Sequence, residues 1–313
     1  MKKVIDGLLG FAIGDAMGVP IEYSIREKCL KNPVMEMLGN GSHNVPAGSW
    51  SDDTSMVVAT MASYIDKETI DYNNIMDKLY EWLANNKYTA DDKRFDIGRI
   101  TLKGIYNYSR KNKDPLECGE DNVNSNDNES LKRMLPVAYY GYYNKLSGDD
   151  LYNLVKDMSS LTNAHEISVL GCYIYVLYVI KLLNGEDKIT AYNDLQKEDY
   201  SMFSEESLEL YNRILKNNLK DLKVHDIKSG SFIVDTLEAS IWVTLNSKNY
   251  PESIIGAINL GEDTDTVGAI TGSMTGIIYG YDEIPTKWLD KLLKKDYLIE
   301  IANNFEEVLN KNS

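Results

Sequence analysis

The stretch GEDTDTVGAITGSMTG (261–276) crowds three acids, Glu262, Asp263 and Asp265, into four consecutive positions and then continues as small and apolar residues. Carboxylates this close repel one another unless a positive charge lies among them. After the acids, a glycine recurs at every fourth residue, which places these glycines on one face of a helix. They are Gly268, Gly272, Gly276 and Gly280.

A second glycine series with nearly the same spacing lies near the beginning of the chain, at Gly7, Gly10, Gly14 and Gly18. Glycine inside a helix costs about 1 kcal/mol relative to alanine, so a repeated series requires a structural reason. Close approach of another backbone supplies one. We predict that both glycine faces lie against neighbouring helices. If they lie against each other, Asp15 and Glu22 come near Asp263 and Asp265.

A second acidic cluster lies in GSWSDDTSMVVATMASYI (48–65), where Asp52 and Asp53 precede an apolar helical run. Each cluster has two interpretations at this point. Serine, aspartate and threonine cap helix N-termini, and acids there favour the helix dipole. Together, however, the clusters offer carboxylates and hydroxyls without His or Cys, a set that suits Mg²⁺, Mn²⁺ or Ca²⁺. Two carboxylate pairs could hold two cations about 3.5–4 Å apart.

Composition limits the classes of protein and partner. The chain has 313 residues, 43% of them apolar and 26% charged, which is typical of a globular protein. A net charge of -15 disfavours a nucleic-acid backbone or an anionic membrane surface as the main partner. Three cysteines without short spacing indicate free thiols in a reducing compartment, so we expect a cytoplasmic protein. The apolar run 169–183 is shorter than the ~20 residues that cross a bilayer, and we expect a buried helix there.

Helical periodicity dominates the chain, and no series of alternating strands stands out. The polar segment 119–130 is expected to form a surface loop. No linker-like composition divides the chain, so we predict an all-α fold with one compact domain over residues 1–313. The predicted helices include residues 68–86, 149–161, 168–183, 207–219 and 286–309.

Seven stretches, in order, resemble the ADP-ribosylglycohydrolase family, of the dinitrogenase-reductase-activating glycohydrolase type. Any one of them is a weak signal, but their order and the acidic clusters at both ends make the set specific. They are GLLGFAIGDAMGVPIEY (7–23), GSWSDDTSM (48–56), FDIGRIT (95–101), SLKRMLPVAYY (130–140), SSLTNAH (159–165), SGSFIVDTLEASIWV (229–243) and LGEDTDTVGAITGSMTGIIYG (260–280).

The resemblance implies an all-helical enzyme with two Mg²⁺ or Mn²⁺ ions that removes ADP-ribose from modified side chains or related conjugates. It implies metal ligation by Ser51, Asp52, Asp53, Asp263, Asp265 and Thr266. The catalytic candidates are Glu22, Asp53 and Asp96. The substrate-binding candidates are Asp96, Gly98, Ser130, Arg133, Asn163 and Phe232.

The residues fit this chemistry independently. A ribosyl C1″ bond breaks through a cation-like transition state, which nearby negative charge stabilises. Two metal ions can hold the ribose diol and position a water, while a carboxylate such as Glu22 or Asp53 orients or deprotonates it. The sequence does not decide which carboxylate is the base. It also leaves open whether the configuration at C1″ inverts.

The chain departs from the family pattern at four places in its predicted substrate site. The segment that usually reads Gly-Ser-x-Met-Arg has Glu129 in place of glycine and Lys132 in place of methionine. Asn163 replaces a histidine, and Phe232 stands where tyrosine is common. These changes leave the predicted metal ligands intact and alter the distal substrate site. The three histidines are isolated in the sequence, and their pattern is more typical of surface or hydrogen-bonded residues than of catalysts.

Three functions fit the sequence. The first is a metal-dependent ADP-ribosyl hydrolase acting on an ADP-ribosylated protein or a small-molecule conjugate, with a modified nucleobase among the alternatives. The second is a non-catalytic ADP-ribose-binding or structural protein with the same fold, which would bind ADP-ribose without turnover. The third is a two-metal phosphoesterase, which would convert ADP-ribose to AMP. Such enzymes often use histidine ligands, and neither acidic cluster contains one.

Overall fold

A computed structural model describes residues 3–312, and the fold over this range is all-α, as predicted. Within these residues, extended pairing is limited to three isolated bridges, at 40/45, 120/163 and 127/232. The helices are α1 (Lys3–Gly18), α2 (Arg26–Lys31), α3 (Asp52–Lys67), α4 (Tyr72–Asn85), α5 (Arg99–Lys111), α6 (Leu135–Tyr143), α7 (Gly148–Ser160), α8 (Glu166–Leu183), α9 (Lys188–Leu195), α10 (Glu205–Leu210), α11 (Asn212–Leu215), α12 (Ile233–Asn246), α13 (Tyr250–Ile258), α14 (Thr264–Tyr279), α15 (Thr286–Leu289) and α16 (Lys295–Asn312). Short 3₁₀ turns include Gly41–His43 and Leu131–Arg133.

The two glycine series pack against each other. This confirms the predicted arrangement in which the glycine face of one helix lies against that of the other. A Cβ atom at Gly14 would lie 2.0 Å from the carbonyl oxygen of Gly268, and one at Gly272 would lie 2.1 Å from that of Gly10. Residue numbers rise along α1 as they fall along α14, so the helices are antiparallel. The end of α1 therefore lies beside the start of α14, where Thr264 Oγ1 donates a hydrogen bond of 2.8 Å to the Gly18 carbonyl.

Gly280 does not share this contact, although its spacing continues the series. It follows the last residue of α14 with φ +87°, and a Cβ atom there would meet nothing within 4 Å. Its role is to end the helix in a conformation that glycine adopts easily.

The buried apolar side chains form one connected core that includes residues of α1, α8 and α16. Two segments, Lys3–Ile21 and Glu166–Leu183, are long and apolar enough to cross a membrane, but 89% and 83% of them is buried inside the fold. Such burial is typical of core helices, as expected for residues 169–183. A single core agrees with the prediction of one domain over 1–313, which stays a prediction.

Two of the predicted helices are each divided in the structure. Residues 207–219 fall into α10 and α11, separated at Tyr211, whose buried hydroxyl donates a 2.7 Å hydrogen bond to the carbonyl of Ile167. Residues 286–309 fall into α15 and α16. The intervening segment binds the chain before α3, because Trp50 Nε1 donates a 3.0 Å hydrogen bond to the Leu293 carbonyl. Both breaks lie at contacts between distant segments, which the periodicity of the sequence does not report.

The prediction of a surface loop at 119–130 is wrong for its second half. Residues 121–124 are exposed, but residues 125, 126 and 128–130 are buried. Asn128 shows why a polar composition did not indicate exposure in this segment. Its side-chain amide donates hydrogen bonds of 2.8 Å to Thr236 Oγ1 and 2.7 Å to Asp263 Oδ2. The side chain of Asn128 thus finds its hydrogen-bond partners within the fold.

Candidate active site

A cavity of about 690 Å³ opens where the end of α1, the start of α14, the start of α5 and residues 128–132 meet. This volume lies within the range of small-molecule sites. Most of the side chains that line it are polar or charged. They include Glu22, Glu27, Asp96, Asn128, Glu129, Lys132, Glu262 and Asp263.

Antiparallel packing of α1 and α14 brings three acids together at this cavity. Carboxylate oxygens of Glu22, Asp263 and Asp265 all lie within 4.8 Å of one another. Two backbone hydrogen bonds join the segments that carry them: Tyr23 N donates to the Glu262 carbonyl at 2.7 Å, and Glu262 N donates to the Ser24 carbonyl at 2.8 Å. The predicted proximity of Glu22 to Asp263 and Asp265 is confirmed.

Two side-chain oxygens at the start of α14 are buried without a hydrogen-bond partner among residues 3–312. They are Asp265 Oδ2 and Thr266 Oγ1, and both residues are about 1% exposed. Burial raises the pKa of Asp265 well above its ordinary value, and the negative charges of Glu22 and Asp53 raise it further. Buried polar atoms without partners are costly, and a cation would satisfy both oxygens. These oxygens therefore fit a metal ion.

The second acidic cluster begins α3. Ser51 caps this helix by accepting a 3.2 Å hydrogen bond from Asp53 N. Asp15, on α1, accepts hydrogen bonds from Ser51 N at 2.9 Å and from Thr54 Oγ1 at 2.6 Å. Asp15 thus fixes the start of α3, and Asp52 and Asp53 follow it on the first turn, buried beside the cavity. The helix-capping interpretation is therefore confirmed for Ser51, and ligand binding by this cluster stays a prediction.

Lys132 lies among the acids of α3, a position that the sequence did not reveal. Its Nζ is 2.8 Å from Asp53 Oδ1, 3.3 Å from Asp52 Oδ1 and 3.4 Å from Glu129 Oε1. The residue is 4% exposed. Burial alone would lower the pKa of Lys132, but the surrounding carboxylates raise it well above its ordinary value, so this side chain carries a positive charge.

His43 contacts Glu22 and is a further residue that sequence reasoning missed. His43 Nε2 and Glu22 Oε2 form a short hydrogen bond, and the imidazole ring lies 5.1 Å from the ring of Phe95. Burial raises the pKa of Glu22, and the bond to Glu22 raises the pKa of His43. No neighbouring residue in the sequence marks His43, because its partner comes from a different segment.

Asp96 and Gly98 both line the cavity, on the segment before α5. Asp96 has a left-handed backbone conformation with φ +52°, and its Oδ1 accepts a 3.2 Å hydrogen bond from the hydroxyl of Tyr23. A Cβ atom at Gly98 would lie 2.1 Å from the carboxylate of Glu129, so a larger residue there would have to displace that side chain. The structure thus brings these two candidates to the cavity with Glu22.

Three of the substrate-binding candidates have their side chains elsewhere, each with no exposed surface. Ser130 Oγ lies 3.3 Å from Cys172 Sγ. Arg133 Nη2 donates a 2.9 Å hydrogen bond to the Met158 carbonyl, and Asn163 Nδ2 donates one of 2.8 Å to Asp127 Oδ1. The structure does not bring these side chains to the cavity wall, and their contact with substrate stays a prediction.

Phe232 differs from these three because its ring is 37% exposed. It follows Gly230 and Ser231, which line the cavity, and it precedes α12. An exposed aromatic ring beside a cavity is available for stacking on a ligand. Its predicted contact with substrate also stays a prediction.

Comparison with known proteins agrees with the sequence motifs. The family model of the ADP-ribosylglycohydrolases matches residues 1–313. The chain is 30% identical to an ADP-ribosylarginine hydrolase, Tri1, of Serratia proteamaculans, over 96% of this chain and 78% of that protein. It is 25% identical to an ADP-ribosyl-[dinitrogen reductase] glycohydrolase of Rhodospirillum rubrum, over 93% and 90%.

A solved structure of an ADP-ribosylglycohydrolase-related protein complex has the same fold. Its TM-score is 0.81 at 23% identity, and the superposition covers 98% of each chain. The predicted all-α fold and the predicted enzyme class, a glycohydrolase, are confirmed. On the family model, the relatives and the fold, this chain belongs to the ADP-ribosylglycohydrolase family.

Proposed function

We propose that the protein is a metal-dependent hydrolase that cleaves the ribosyl C1″ bond of ADP-ribosylated substrates and releases ADP-ribose. The observation that carries this proposal is the group of carboxylates formed by Glu22, Asp263 and Asp265, in which Asp265 Oδ2 is buried without a partner, as is the hydroxyl oxygen of the adjacent Thr266. A cation satisfies such a group of carboxylate and hydroxyl oxygens and offsets the repulsion between the carboxylates.

The residues that would hold divalent ions are those of the two acidic clusters. Asp263, Asp265 and Thr266 would bind on the α14 side, and Ser51, Asp52 and Asp53 on the α3 side. Bound there, Mg²⁺ or Mn²⁺ supplies Lewis-acid chemistry: it fixes hydroxyls of the ribose and lowers the pKa of a water.

The chain's own carboxylates carry out the remaining chemistry. Glu22 lines the cavity, and its bond to His43 fixes its orientation, so it is suited to orient the attacking water and accept its proton. Asp96, on the segment before α5, would contact the sugar. The water oxygen bonds to C1″ as the bond to the leaving group breaks, and the leaving group takes up a proton. The surrounding negative charges stabilise the cation-like transition state.

We propose an arginine linkage as the first substrate to examine. The outer part of the cavity carries the exposed acids Glu27 and Glu262, which would attract a cationic guanidinium group. A relative at 30% identity is an ADP-ribosylarginine hydrolase. The three cysteines are buried as free thiols, which supports a reducing compartment and, in our proposal, the cytoplasm.

The test is release of free ADP-ribose from a peptide ADP-ribosylated on arginine, followed by chromatography. We expect release with Mg²⁺ or Mn²⁺ and its loss with a chelator. Asp265→Asn removes a carboxylate from the α14 cluster, and a fall in kcat of roughly 100-fold or more is expected. Asp66→Asn, which alters an exposed acid outside the cavity, is the control and should leave release unchanged.

The same assay separates the alternatives. Binding of ADP-ribose without release from arginine, serine or nucleobase conjugates would contradict the proposal and indicate a non-catalytic protein. Production of AMP from ADP-ribose would indicate a phosphoesterase. Full activity of Asp265→Asn in the presence of chelator would remove the metal from the mechanism.

A further inference from the structure

We propose that the Lys132 ammonium permanently takes the place of one of the two divalent ions expected from the sequence, so that the protein binds a single ion. That ion would lie on the α14 side, at Asp263, Asp265 and Thr266. The proposal rests on the proposed function, because it concerns the number of ions in the same site.

The contacts of Lys132 are those of a cation in a binding site. Its Nζ faces three carboxylates, at 2.8 Å from Asp53, 3.3 Å from Asp52 and 3.4 Å from Glu129. The side chain is buried, so water does not screen these interactions. A lysine that merely covered the cavity would extend its ammonium group into solvent.

A divalent ion on the α3 side would need the same oxygens. Mg²⁺ requires carboxylate oxygens at 2.0–2.1 Å in nearly ideal octahedral geometry. Asp52 Oδ1 and Asp53 Oδ1 already face the ammonium group. A second ion would place three positive charges within a few ångströms in a buried site, where like charges repel strongly.

In the described part of the chain, the α14 side has no buried lysine of this kind. Glu22 pairs with His43, Asp263 and Asp265 have no cationic side chain within ion-pair distance among residues 3–312, and Asp265 Oδ2 and Thr266 Oγ1 lack hydrogen-bond partners. Asp53 Oδ2 is also without a partner, while its other oxygen faces Lys132. In this proposal Asp53 binds Lys132 through Oδ1, and its Oδ2 remains available to the single ion.

Glu129 and Lys132 are paired with each other and both depart from the family pattern. The Glu129 carboxylate accepts a 2.5 Å hydrogen bond from Thr101 Oγ1, which fixes it next to Lys132. The Glu129 carboxylate also fills the space beside Gly98, which has no side chain. Glycine and methionine at positions 129 and 132 would supply neither charge, and the acids of α3 would then face no ammonium group.

The test counts Mn²⁺ ions by titration calorimetry and by metal analysis of dialysed protein. We expect one ion per wild-type chain and two per chain of Lys132→Met. Lys103→Met, which makes the same change at a partly exposed lysine of α5, should retain one. Because Lys132→Met leaves buried acids unpaired, the double variant Glu129→Gly/Lys132→Met, which removes both charges, is measured beside it and should also bind two.

Two ions in the wild-type protein would overturn the inference and leave the proposed hydrolase intact. So would a single ion in both folded Lys132 variants. No ion in the wild type would remove both the inference and the metal dependence. Release of ADP-ribose by the same preparations, with and without chelator, reports separately on whether the hydrolase itself is wrong.

Discussion

At the scale of single residues, the contact between Glu22 and His43 is the one that most affects the proposed chemistry. The carboxylate is buried, and the imidazole is the hydrogen-bond partner that fixes its orientation at the cavity. His43 comes from a 3₁₀ turn, Gly41–His43, that follows Glu22 by about twenty residues. We therefore regard His43 as a positioning residue for Glu22.

His43→Ala should lower kcat by about 10- to 100-fold, the effect of losing one hydrogen bond to a charged group. KM should change little, because the carboxylate would lose its orientation while the rest of the cavity remains. His43→Gln retains a donor and should recover part of the loss. Steady-state kinetics of ADP-ribose release measure both variants. A rise in KM with unchanged kcat would show that His43 binds substrate instead.

At the scale of helices, the contact between α1 and α14 determines where the acids meet. Gly14 and Gly268 allow the two backbones to touch, and each residue leaves no room for a Cβ atom. A side chain at either position would have to displace a backbone carbonyl instead of a flexible side chain. The separation between Glu22 and Asp265 depends directly on this contact.

Gly14→Ala should destabilise the fold by about 3 kcal/mol or more, at the upper end of overpacking effects, because a backbone cannot move aside easily. Urea denaturation measures the change. Gly256→Ala is the matched control: Gly256 also lies inside a helix, α13, but a Cβ atom there would meet only Val243 Cγ1 at 3.5 Å. Helix propensity then predicts unchanged or slightly higher stability. Equal stabilities of the two variants would contradict the packing argument.

At the scale of the whole molecule, the candidate site joins segments from the first, middle and last thirds of the chain. An ion bound to the folded protein, but not to the unfolded chain, stabilises every contact that holds these parts together. Mn²⁺ at 100 times its dissociation constant should add about 2.7 kcal/mol and raise Tm by roughly 5 °C. Thermal denaturation of wild-type protein and Asp265→Asn, with Mn²⁺ or chelator, measures this. An equal rise in both proteins would show that the ion binds elsewhere.

Much of this architecture was predictable from local pattern. Glycine spacing predicted the contact between α1 and α14, since a helix face is a property of neighbouring residues. The acidic cluster before α14 predicted two of the cavity's carboxylates, Glu262 and Asp263, while Asp52 and Asp53 contact the cavity-lining Lys132. The site residues that escaped prediction depend on contacts between distant segments. The contacts of His43 with Glu22 and of Lys132 with Asp53 form only when the chain is folded.

Arg133 shows the converse. Its motif suggested contact with substrate, yet the guanidinium group has no exposed surface and donates to the carbonyls of Glu129, Met158 and Ser159. Three backbone carbonyl oxygens therefore serve as the hydrogen-bond acceptors of this guanidinium group, in place of a ligand anion. No feature of the sequence distinguishes these two uses of the residue.

The antiparallel contact of α1 with α14 also bears on biosynthesis. At about 5–20 residues per second, a ribosome completes α14 on the order of tens of seconds after α1 has emerged. Throughout this interval the glycine face of α1 lacks its partner α14, and the acids of the cavity are not yet assembled. Chaperones and proteases would therefore encounter α1 while its native partner is still more than two hundred residues from being translated.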